Sequence, residues 1–125
     1  MMLAFLLVGQ SNLSLANGQS IITQEQAIEI GYKQVSKMNI DLRDLDVEVD
    51  DGNKGWIEHM AILRTSPVPS LRHQYHEYEA KLKGHTYWSI FYQPKRVGGH
   101  GFKGGGATVL IDSKTGLVLL AIRGE

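Results

Sequence analysis

The chain reads as α+β: an antiparallel sheet of four to five strands with an N-terminal helix and a second short helix. Three observations predict this. Apolar residues recur at helical spacing between Ala27 and Met38. Runs rich in β-branched and aromatic residues are joined by turn-forming Gly, Asp and Asn. Strands and helices do not alternate as a parallel sheet would require. The charge balance, 13 Lys and Arg against 13 Asp and Glu, argues against a nucleic-acid binder, which needs a basic face. The chain has no cysteine, which excludes disulfides, thiolate metal sites and cysteine nucleophiles.

Residues 3–8 (Leu-Ala-Phe-Leu-Leu-Val) form an apolar run. It is too short to span a bilayer, which takes about 20 apolar residues, but it fits the core of a signal peptide. Ser14-Leu15-Ala16 places small residues where a signal peptidase reads, so cleavage is expected after Ala16. The alternative is a buried N-terminal strand or helix. On the export reading, 17–125 is one domain, periplasmic or secreted, with no membrane span of its own.

A helix is predicted over 24–38. Thr23 can cap it, and Gln26 completes a capping box. Leu45, Val47 and Val49 alternate with acidic residues, which predicts a strand with one wet face. The Asp51-Gly52-Asn53-Lys54-Gly55 run has turn composition, and residues 56–63 read as the second strand of a hairpin. Pro67 and Pro69 interrupt the sheet. Ser70 could cap a short helix carrying Leu71, Tyr75, Tyr78 and Leu82, with Gly84 as its stop; a long extension of the next strand is the rival. Strands are then expected over 86–93, 106–112 and 116–123, the last two joined by a turn in which Gly116 takes positive φ and Asp112 bonds the backbone.

The segment Gly99-His100-Gly101-Phe102-Lys103-Gly104 matches G-x-G-x-x-G, but dinucleotide binding needs a helix after the glycines, and a strand follows. The same loop carries Lys95, Arg96, His100 and Lys103 among six glycines. It is either an anion or acidic-peptide site or a mobile connection. His73 and His76 could share a helix face, but they have no convincing third ligand, so no metal and no cofactor is expected. Asp46, Glu48 and Asp50 read as a solvated strand face rather than a calcium loop. Ser89 lies in a strand without an elbow motif, and no catalytic residue is assigned. Alternation sends Trp88, Ile90 and Tyr92 to one face and Tyr87, Ser89 and Phe91 to the other. Either Tyr87 and Phe91 form an exposed binding patch, or both faces are covered, one by each helix.

Residues 87–92 (Tyr-Trp-Ser-Ile-Phe-Tyr), the Gly104-Gly105-Gly106 run and the hairpin Val109-Leu110-Ile111-Asp112-Ser113-Lys114-Thr115-Gly116-Leu117-Val118 resemble small bacterial cystatin-like domains. These include PepSY-like domains and immunity proteins with a nuclear-transport-factor-like fold. The resemblance covers roughly the last 40 residues and, loosely, the first helix; residues 64–84 are outside it. It implies a sheet curled around the N-terminal helix and a secreted, non-catalytic domain that binds or inhibits a protein partner, a peptidase or a toxin. Tyr87 and Phe91, or Lys95, Arg96, His100 and Lys103, are the expected partner-binding residues. The competing expectation is a small-ligand or enzymatic domain with a pocket between helix and sheet.

Overall fold

The structure is a computed structural model and describes residues 22–40, 42–43, 45–94 and 106–124. The expected signal peptide and Lys95, Arg96, His100 and Lys103 lie outside the described residues. The order is α1 (Gln24–Val35), β1 (Leu45–Val49), a single 3-10 turn (Asp51–Asn53), α2 (Lys54–Thr65), α3 (Pro69–Leu82), β2 (Tyr87–Pro94), β3 (Ala107–Asp112) and β4 (Val118–Arg123). The four strands form one open antiparallel sheet in the order β1-β2-β3-β4.

The start of α1 is the one its sequence encodes. Gln26 N–H donates to Thr23 Oγ1 at 3.1 Å, and Thr23 N–H donates to Gln26 Oε1 at 2.8 Å. Two backbone donors that helix geometry leaves orphaned are thereby satisfied. Ala27, Gly31 and Val35, one to a turn, face the sheet and are buried. The helix ends three residues before the expected Met38, and Asn39 turns the chain at φ 58°.

On the sheet side of α1, the helix and the residues that follow it meet Ile90 and Tyr92 of β2 and Ala107, Val109 and Ile111 of β3; Val35 and Ile40 complete this core. The opposite face is covered by α2 and α3, where Trp56 and Leu82 pack on Leu110 and Leu120. The sheet is therefore a middle layer, with the strand alternation feeding two separate cores. A bulge between Leu110 and Ile111 shifts the β3–β4 register by one residue. It puts Leu119 as well as Leu120 on the α2–α3 side.

The segment 56–63 is not a strand. It lies within α2, so the expected hairpin with β1 does not form, and β1 pairs instead with β2, Val47 opposite Tyr92. The reason is that Trp56, Met60 and Leu63 are spaced 4 and 3, which on a helix brings them to one side; Trp56 and Leu63 are buried and Met60 half-buried. Residues 69–82 do form the expected helix rather than a strand extension, but Pro69 opens it, with Val68 as its cap, and Ser70 is already inside. Gly84 ends it at φ 82°, the left-handed conformation expected of a glycine stop.

Candidate functional site

The α2–α3 layer is pinned to the sheet by a polar knot at the start of α2. Asp50, the residue after β1, accepts hydrogen bonds from the backbone N–H groups of Gly55 and Trp56, each at 2.9 Å. These are first-turn donors that lack intrahelical partners. Asn53, at φ 58°, donates from Nδ2 to the Tyr87 carbonyl at 3.1 Å. Fully buried Ser89 of β2 completes the knot, with its Oγ 2.9 Å from Asp50 Oδ2 and 2.7 Å from Asn53 Oδ1. A hydroxyl has one proton, so the two acceptors share it. Ser89 and Asp50 are thus parts of a helix anchor, and Asp50 has left the solvated acidic face to which its spacing assigned it.

With α2 fixed, Trp56 lies between sheet and α3, its ring centroid 5.7 Å from that of Tyr78. Between the two helices and the sheet end that carries Tyr87 runs a cleft of about 780 Å³. Trp56, Met60, Ala61, Ala80, Leu82 and Tyr87 give it an apolar lining. Arg64, His76, Glu79, Lys83 and His85 supply the charged and polar groups. Glu79 is engaged from within its own helix, accepting from the Tyr75 hydroxyl at 3.3 Å. Ile57, which also lines the cleft, is 58% exposed; Ile62, five residues on and on another side of α2, is 65% exposed.

At the cleft's Lys83 end, His85 Nδ1 lies 2.6 Å from Asp112 Oδ2. The other Asp112 oxygen accepts from the N–H groups of Lys114 and Thr115 at 2.7 and 2.9 Å, the backbone bonding expected for this turn. The hydrogen bond from His85 is the largest cause holding the Asp112 carboxyl well below the usual range, at about 2; burial opposes it, and the two turn N–H groups act with His85. Next to this pair, the Thr86 and Ser113 hydroxyls lie 2.6 Å apart. The sequence places His85 in a polar context and 27 residues from Asp112, so no local pattern signals the pairing.

Tyr87 and Phe91 do share a sheet face, as alternation requires, but that face lies beneath the helices. Tyr87 is half-buried against the cleft, and burial pushes its hydroxyl pKa up, with the Asp50 charge adding to the effect. Phe91 packs under Gly55, where a Cβ would stand 3.3 Å from its ring. The two aromatics therefore form no common open patch, and each belongs to a different cleft. Helices lie on both faces of the sheet, α1 on one and α2 with α3 on the other, and Tyr87 and Phe91 are each half-buried at a cleft. His73 contacts Glu77 at 3.6 Å on the exposed side of α3. Among the described residues, no three His, Asp or Glu side chains are grouped to hold a metal ion, and no helix is long and apolar enough to cross a membrane.

No family model matches the chain, and no curated protein and no solved structure matches it either.

Proposed function

We propose that this protein is an exported binding domain that works without turnover and meets another protein with its α2–α3 face. The observation that carries the reading is Ile57, a large apolar side chain left exposed in an apolar cleft with a charged rim. Keeping large apolar groups in water has no benefit to folding, whereas an apolar centre with a polar rim is how protein interfaces are built. Export is supported by the apolar run at 3–8 and the small residues Ser14 and Ala16. A peptidase or a toxin is the partner class that the likeness to PepSY-like and immunity domains suggests; the cystatin-like curl of the sheet belongs to the same proposal.

The test compares the full chain with Ile57→Glu and Arg64→Glu, both exposed positions lining the cleft, where the change of charge leaves the fold intact. Each is immobilised and exposed to periplasmic extract of the source cells, and bound proteins are identified by mass spectrometry. A protein retained by the parent and lost from both variants supports the reading. Identical retention by all three, or none by any, overturns it.

A second reading, a small-ligand or enzymatic pocket, draws on His85 at the cleft, because a carboxylate on one ring nitrogen leaves the other as a base. The same Asp112 also holds two turn N–H groups, which accounts for its position without catalysis. Replacing His85 with Gln while partner retention persists favours the binding domain.

A further inference from the structure

The cleft between α2 and α3 has a polarity along its length, and that polarity describes what fits it. The two helices are joined by residues 66–68 and pack against one another, so they run in opposite directions. Arg64 therefore marks the end near the connection. Lys83 and His85 mark the other end, beside Trp56 and Tyr87. From Trp56 to Arg64 is eight residues of helix, about 12 Å at 1.5 Å per residue. Ala61 and Ala80 line the cleft between these ends, small residues that let another backbone approach. Glu79 is the one carboxylate among the lining residues.

An extended peptide suits this cleft poorly. Its two long walls are helices whose backbone groups are bonded internally, and at the sheet end the Tyr87 carbonyl is taken by Asn53, so a strand finds no ladder there and its own N–H and C=O groups would lie on apolar side chains without partners. A helix brings its backbone already satisfied. We infer that the α2–α3 cleft receives an amphipathic helix of the partner protein, with acidic residues about two turns apart that meet Arg64 at one end and Lys83 at the other. Apolar residues on the same side of that helix lie over Met60, Ala61 and Ala80. Glu79 requires the middle of its polar edge to be free of carboxylates. This rests on the binding-domain reading and adds the form and charge pattern of the partner.

The experiment places the photo-crosslinking residue p-benzoylphenylalanine in the full chain at Ile57 or Tyr75, which line the cleft, or at Tyr32, exposed on α1 across the sheet. Each protein is irradiated in periplasmic extract, and the crosslinked peptides are sequenced. The expected result is adducts from positions 57 and 75 to one helical segment with acidic residues seven or eight apart. Arg64→Glu and Lys83→Glu should each lower the yield about fivefold, as loss and reversal of a rim charge pair does. An attached segment that is extended or lacks the acidic pair overturns the inference. So do adducts to this chain's own residues, which would mean the cleft is covered from within. Adducts from Tyr32 alone overturn the cleft but leave a binding protein. No adduct from any position overturns the binding reading itself.

Discussion

The hydroxyl of Tyr92, on the central strand β2, lies directly against Gly31 in the middle of α1 and donates to the Ile28 carbonyl at 2.7 Å. Tyr92 is fully buried, and burial pushes its hydroxyl pKa well up. A Cβ on residue 31 would overlap the phenol oxygen. Gly31 is therefore a contact position, and the usual helix preference for alanine over glycine is reversed there.

Gly31→Ala should destabilise the protein by about 2–3 kcal/mol, the scale of forcing extra atoms into a packed core. Tyr92→Phe should cost about 1 kcal/mol, one hydrogen bond whose acceptor keeps its place in the helix. Because removing the hydroxyl makes room for the methyl, the double variant should lose less than the sum. Urea denaturation of all four proteins measures this.

Asp50→Ala should cost about 3 kcal/mol, since two helix N–H groups and a buried hydroxyl lose a charged acceptor together. Ser89→Ala should cost about 1 kcal/mol, because Asp50 keeps both N–H donors. Amide exchange distinguishes this anchor from general loosening: in Asp50→Ala the Gly55 and Trp56 amides should exchange faster than the amides of α1.

Acid should loosen the β3–β4 turn before the rest of the sheet. The Asp112 carboxyl is held at about 2 in the fold against an ordinary 3.8. A depressed folded-state pKa means that the unfolded chain takes the proton first as pH falls. The stabilisation is therefore complete above about pH 5, where even the unfolded carboxyl is ionised, and declines from there to about pH 2. Asp112→Asn preserves an oxygen for the turn N–H groups but removes the charge facing His85. Its melting temperature should fall less steeply than that of the parent between these limits.

Gly84 and Gly106 should respond differently to alanine. Gly84 sits at φ 82° with open space around its Cα, so Gly84→Ala should cost about 1–2 kcal/mol of backbone strain. At Gly106 a Cβ would strike the Tyr92 carbonyl, a ladder atom that cannot move aside. Gly106→Ala should exceed Gly84→Ala and should weaken β2–β3 pairing, read as faster amide exchange along β3.

Features encoded within a few residues were legible in the sequence. The capping box at Thr23 and Gln26, the positive φ of Gly116 and the Asp112 turn all rest on contacts three or four residues apart. So did the alternation of Trp88, Ile90 and Tyr92 against Tyr87, Ser89 and Phe91. Residues 56–63 misled because Trp, Ile and Leu suit a buried strand as well as a helix, and Asp51 to Gly55 has hairpin composition. The 4-and-3 spacing of Trp56, Met60 and Leu63 held the correct answer; the acceptor that starts the helix, Asp50, lay just outside the segment. The cleft and the His85–Asp112 pair were not legible, because each joins residues that meet only once the sheet has formed.

The chain leaves the sheet after Val49 and returns at Tyr87, and the two strands it links lie side by side with Val49 opposite Ile90. The ends of the helical excursion are thus already held together by strand pairing. Substitutions on the outer side of α2 and α3 can change what the protein recognises while the ladder beneath keeps its alignment. A scaffold of this kind separates the residues that make it fold from those that choose its partner.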